Sequence, residues 1–295
     1  MNFPRYRLLA SPVQGAAILL SLAIALLVQN AAEAGPQVLT PFGYRDSAKV
    51  HLVPAGYELT GMPDGYMRME NRQTGDHTDF PKPEPVLREP SINGWITFAS
   101  WYNHGRRPVA YFTTIWYVPP APLTFDGQTL FLFNSIEPAS GDAILQPVLQ
   151  YGYSAAGGGV YWSVGSWYVV GDQAYFSRLT KVVPGQGLTG AITLSAANKQ
   201  TCSYICQFTE FPATYFPVNQ IPELRWCTET LEVYGVDRCT DYPNTPYSEM
   251  SGITIANIAR SPKVLWSITN VNTSCGVQTG ILGNGGVNGS VVIYY

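Results

Sequence analysis

Two short segments carry the side chains best suited to chemistry. Leu224 to Val236 reads Leu-Arg-Trp-Cys-Thr-Glu-Thr-Leu-Glu-Val-Tyr-Gly-Val, and Ala143 to Tyr151 reads Ala-Ile-Leu-Gln-Pro-Val-Leu-Gln-Tyr. Successive side chains of a strand alternate faces. In the first segment Trp226, Thr228, Thr230, Glu232 and Tyr234 then share one face. Arg225, Cys227, Glu229, Leu231 and Val233 share the other, which is apolar enough to be a core side. Glu232 is thereby set among aromatic and hydroxyl groups, either in a groove or as a solvated outer-face carboxylate. Glu229 points the other way, towards Arg225. In the second segment Gln146 and Gln150 join Ile144 and Val148, opposite Leu145, Leu149 and Tyr151. Amides there suit a groove that needs neutral donors and acceptors, or the surface of an edge strand. Pro147 has no N–H and predicts an edge position or a bulge. A carboxylate can serve as general base towards water, and an amide N–H can stabilise an oxyanion.

Other chemistries lack their residues. The chain has no GxSxG, HExxH, P-loop or strand-borne GxGxxG motif. Its histidines are His51, His77 and His104, too few and too scattered for a catalytic metal site, so no metal and no cofactor are expected. A net charge of −3 gives no basic footprint for nucleic acid. With 13% charged and 13% aromatic residues the chain is not a disordered one. If this is an enzyme, carboxylates and amides carry the work.

Short runs rich in Val, Ile, Thr, Tyr and Trp follow Trp95, separated by turns such as Pro119-Pro120, Asp126-Gly127 and Gly157-Gly158-Gly159. They predict an all-β fold over 93–295, an antiparallel β-sandwich of jelly-roll or concanavalin-like form. Residues 35–92 are rich in Pro, Gly and charge and read as an irregular N-terminal arm or a pro-segment. Residues 1–34 read as a secretory signal: Arg5 and Arg7, an apolar Gly15 to Val28, and Ala32-Glu33-Ala34 before the cut. The expected product is secreted, monomeric and free of the membrane once the signal is removed. Export favours disulfides among Cys202, Cys206, Cys227, Cys239 and Cys275, with one thiol left over by the odd count. Asn272-Thr273-Ser274 and Asn288-Gly289-Ser290 are glycosylation sequons if the source is a eukaryote.

Several segments, in order, resemble the glutamic peptidase (eqolisin) family of secreted acid proteases. They are Ala110 to Pro119, Ile136-Glu137 with Ala143-Ile144-Leu145-Gln146, Ser166-Trp167-Tyr168 with Ala174-Tyr175-Phe176 and Pro184-Gly185-Gln186, and Leu231-Glu232-Val233-Tyr234. Pro147 after the glutamine, Leu231 before Glu232 and Val233 after it depart from the family pattern. The resemblance implies a β-sandwich with Gln146 and Glu232 as catalytic dyad and a polypeptide substrate. Glu232 would activate water and Gln146 would hold the oxyanion. Trp167, Tyr168, Tyr175, Trp226 and Tyr234 would pack against substrate. The alternatives are a glycan-binding, lectin-like sandwich, a glycosidase pairing Glu137 with Glu232, and a non-catalytic structural relative. Glu229 and Glu232 cannot be such a pair, because odd spacing sends them to opposite faces.

Overall fold

A computed structural model describes residues 35–86, 94–258, 260–271 and 273–295. The expected signal segment, the boundary at 92/93 and Asn272 of the first sequon lie outside them. The Val-, Thr- and aromatic-rich runs form strands, as their fit to a pleated surface requires. β1 (Gln37–Thr40) and β2 (Gly43–Asp46) make a separate hairpin. Then come β3 (Val50–Leu52), β4 (Tyr57–Gly61), β5 (Met67–Asn71), β6 (His77–Phe80), β7 (Gly94–Tyr102), β8 (Val109–Tyr117) and β9 (Thr129–Pro138). The middle of the chain supplies β10 (Ala143–Ser154), β11 (Gly157–Val170), β12 (Gln173–Phe176), β13 (Thr180–Lys181), β14 (Gly187–Ala197), β15 (Cys202–Phe208) and β16 (Phe216–Ile221). The last are β17 (Leu224–Tyr234), β18 (Tyr247–Asn257), β19 (Ser267–Asn270), β20 (Gln278–Gly283) and β21 (Gly289–Tyr294). Among the described residues no helix is long and apolar enough to cross a membrane.

The strands form two large sheets. The first has the order β19-β7-β17-β9-β10-β11-β12-β3, with β13 also on β11. The second runs β20-β21-β18-β8-β14-β15-β16-β4-β5-β6. Neighbours are antiparallel except β12 with β3 and β16 with β4, which are parallel. Both exceptions come from the early arm. That arm is strand-bearing rather than irregular throughout: β3 joins the first sheet, while β4, β5 and β6 extend the second.

Between the sheets lie Phe112, Tyr204, Leu145, Tyr168 and Cys227, and further along Trp116, Leu149, Trp162, Phe208 and Leu231. A third apolar cluster occupies the opposite face of the first sheet: Phe131, Phe133, Ile144, Val148, Trp167 and Phe176, covered in part by Leu39 and Phe42 of the hairpin. The first sheet is therefore covered on both sides, which explains why every residue of β9 is buried and why its sequence shows little polar alternation.

Cys239 and Cys275 form a disulfide. Cys202, Cys206 and Cys227 remain buried thiols, so three cysteines are unpaired where the odd count alone required one. All three face the apolar interior between the sheets, where burial pushes their thiol pKa values up and keeps them inert.

Candidate active site

Alternation along β17 divides its side chains as the sequence predicts. Cys227, Leu231 and Val233 pack between the sheets. Glu229 does too, and its Oε1 accepts a 2.5 Å hydrogen bond from the Thr114 hydroxyl on β8. Burial pushes the Glu229 carboxyl well above its ordinary range, opposed by that hydrogen bond. Glu229 does not pair with Arg225. A register shift between Leu224 and Trp226 interrupts the alternation there, and the Arg225 guanidinium instead binds Glu223 and the carbonyls of Asn103 and Gly105.

Glu232 faces the other way and is fully buried. Its Oε1 accepts the Tyr234 hydroxyl at 2.6 Å and the backbone N–H of Phe42 at 2.8 Å. Phe42 is at the tip of the β1–β2 hairpin, 190 residues away in sequence. Arg45 on β2 is buried beside this carboxylate and donates to the carbonyls of Gly171 and Tyr44. Burial lowers its pKa, while the charges of Tyr234 and Glu232 act in the opposite sense. Burial also raises the Tyr234 phenol, reinforced by the negative charge of Glu232. The carboxylate is thus a covered acceptor for a peptide N–H, not a solvated surface group.

Gln146 lies on the same face of the same sheet, also fully buried, and among the described residues neither atom of its carboxamide has a hydrogen-bond partner. Its strand is central, not an edge. Pro147 is accommodated by a lapse: β10 and β9 pair at Leu145↔Ile136 and again at Val148↔Phe133, with no pair between. Gln150 is committed elsewhere. Its Nε2 donates to the carbonyls of Gly152 and Gly157, each at 2.9 Å, and its Oε1 accepts from Ser154. Of the two glutamines only Gln146 has an available amide.

The two residues expected to form a dyad share a face but not a level. Glu232 is opposite Phe131, and Phe131 is opposite Gln150. Gln146 falls level with Ser135, itself opposite Thr228. Two strand spacings and a four-residue offset put the Cα atoms of Gln146 and Glu232 roughly 16 Å apart. At that separation their side chains are too far apart to share one water. Hydroxyls occupy the space between these levels: Ser135 to Thr228 at 2.7 Å, and Thr228 to Thr230 at 2.8 Å. The carboxylate nearest to Gln146 by register is Glu137, a diagonal neighbour on β9 at about 7–8 Å between Cα atoms. It is buried on the same face. Sequence reasoning gave Glu137 only a glycosidase role; its even spacing from Ser135 was the available signal.

The predicted substrate aromatics divide. Trp226 stacks on Trp95 at 5.9 Å and meets Phe98 edge-on, and Tyr234 touches Glu232 directly. Trp167 is on their face but is completely covered, packed on Phe176 at 4.9 Å. Tyr168 and Tyr175 project from the opposite face into the interior between the sheets and line no groove. No group of three or more His, Cys, Asp or Glu able to hold a metal exists among the described residues. A polar groove of about 550 Å³ lies elsewhere, on the outer face of the second sheet, with Glu58, Arg72, Ser203, Tyr215 and Asn219 in its lining.

No protein-family model matches the chain, and no curated protein does. Solved structures do. The chain is remotely similar to glutamic peptidases. It aligns with scytalido-glutamic peptidase in complex with a peptide-based transition-state analogue, at 15% identity and a TM-score of 0.45. It aligns with SCP-B, a member of the eqolisin family in complex with the tripeptide Ala-Ile-His, at 14% identity and a TM-score of 0.43. A third alignment, to scytalido-glutamic peptidase with a transition-state analogue inhibitor, has 13% identity and a TM-score of 0.42. Each covers 69% of this chain and 98% of the other.

Proposed function

We propose that the protein is a secreted, acid-active endopeptidase of glutamic type. The observation that carries this reading is the hydrogen bond from a backbone amide, Phe42 N–H, to a buried carboxylate, Glu232. That contact supports a site in which Glu232 faces the nitrogen of a peptide bond. In the reaction Glu232 takes a proton from water as the water attacks the scissile carbonyl, then delivers a proton to the departing amine. Gln146 donates its carboxamide N–H to the developing oxyanion. Its amide is uncommitted and lies on the same face of the sheet as Glu232. Both functions suit acid solution, where a carboxamide stays neutral and a histidine would be charged.

The test is hydrolysis of an unfolded protein substrate at acid pH by purified protein and by Glu232→Gln. Abolished hydrolysis in a variant that keeps its fold supports the reading; unchanged hydrolysis ends it.

A second reading, a glycan-binding sandwich, draws on the outer groove. Tyr215 is half exposed there beside hydroxyl and amide side chains, an arrangement that suits a sugar ring and its hydroxyls. Binding on a glycan array that is lost in Tyr215→Ala, without peptide hydrolysis, would favour it.

A further inference from the structure

The β1–β2 hairpin turns through Pro41 and Phe42, with Thr40 opposite Gly43. Phe42 has φ 83°, in the left-handed region. A residue following Pro in such a turn is ordinarily glycine, because a side chain in that backbone region is strained. The strained residue is the one whose N–H meets Glu232. Its ring meets Trp95 edge-on at 6.4 Å, carries the Arg45 guanidinium 6.0 Å from its centroid, and packs on the cluster containing Phe131 and Phe133. The hairpin is tied down by the Ala155 N–H on the Leu39 carbonyl at 2.7 Å.

We propose that the hairpin tip is an internal substrate mimic and that it reveals the residue preference of the cleft. This rests on the peptidase reading of Glu232. A base that returns its proton to the departing amine must stand beside the nitrogen of the residue after the cut bond. Phe42 N occupies that place. The Pro41–Phe42 bond therefore lies where a scissile bond would lie, and the Phe42 ring fills the site for the residue that follows the cut. That site, walled by Trp95, Arg45 and the Phe131/Phe133 cluster, takes a large aromatic side chain. The turn bends Pro41–Phe42 away from the extended form of an ordinary peptide substrate, and the segment stays in place as an occupant.

The experiment uses the full chain and two synthetic peptides, acetyl-Val-Leu-Thr-Pro-Phe-Gly-Tyr-amide and the same peptide with alanine for its phenylalanine. Backbone hydrogen exchange of residues 38–44 is followed with each. The aromatic peptide is expected to displace the hairpin and raise exchange there at least tenfold, with little effect from the alanine peptide. Equal effects, or none from either, overturn the proposal. Phe42→Ala is the second arm: its hairpin is expected to exchange at least tenfold faster without added peptide, and unchanged exchange counts against the proposal. If the aromatic peptide competes selectively while Glu232→Gln leaves hydrolysis unchanged, the peptidase reading fails and the aromatic site stands. If hydrolysis requires Glu232 but cleavage shows no preference for an aromatic residue after the cut, the substrate inference fails and the peptidase reading stands.

Discussion

Glu229 and Glu232 stand three residues apart on β17, and the sheet between them separates two different carboxyl environments. Glu232 meets a peptide N–H and a phenol. Glu229 meets one hydroxyl in the interior between the sheets. The cross-strand neighbour of Glu229 is Asn134, and Glu229 Oε2 and Asn134 Oδ1 both lack a donor among the described residues. Burial raises the Glu229 carboxyl pKa and so favours its neutral, protonated form.

This gives a stability profile with a defined sign. The folded pKa of Glu229 lies above its unfolded value of about 4.3, so the folded state holds the proton longer. Stability from this group is full below about pH 4 and falls as pH rises towards the folded value, by up to about 1.4 kcal/mol per pH unit. Glu229→Gln keeps the shape, supplies an N–H and removes the titration. Urea unfolding across pH 3–8 should show a flatter profile for this variant and greater stability than the parent at neutral pH.

Glu232→Gln should lower kcat for peptide hydrolysis about 10²–10⁴-fold, the range for loss of a general base. Gln146→Ala should cost about 10²–10³-fold if its amide serves the oxyanion. Glu137→Gln belongs in the same assay, because register makes Glu137 the closer carboxylate to Gln146. A loss in Glu137→Gln and Gln146→Ala together, with Glu232→Gln active, would move the chemistry to β9.

Gln150→Ala should affect folding rather than turnover. The variant loses bonds to Gly152, Gly157 and Ser154, with an expected cost of about 1–3 kcal/mol. Thermal melting and a parallel activity measurement separate the two glutamines.

Removing the cross-link by Cys239→Ser with Cys275→Ser should cost roughly 4 kcal/mol from the chain entropy of a 36-residue separation. Calorimetry should register a drop of about 10 °C in Tm. Cys202, Cys206 and Cys227 should stay unreactive to thiol reagents until the protein unfolds.

The faces of β10 and β17 were legible in the sequence because a period of two leaves little choice once one side is apolar. The exceptions have local causes. Arg225 escapes the pattern at a register shift, and Pro147 sits in a central strand because the β9 ladder lapses beside it. Tyr168 and Trp167 are adjacent and so must face opposite ways, but composition does not say which side the second sheet covers. The level of Gln146 against Glu232 depends on the register across β9, which neither segment encodes alone. Strands of three to five residues in the arm are too short to show a period. The Gly157-Gly158-Gly159 run was readable as a turn, yet its reason was hidden: a side chain at Gly158 would strike Gln150 Nε2 at 2.3 Å.

The parallel pairings of β3 with β12 and β4 with β16 come from one stretch of a dozen residues. Each covers a border of a sheet whose amide and carbonyl groups would otherwise be open to another molecule. Proteolytic trimming of the arm would bare both borders at once, and the trimmed chains would be prone to stack edge to edge into aggregates. The early segment therefore caps a border of each large sheet as well as laying its hairpin over Glu232.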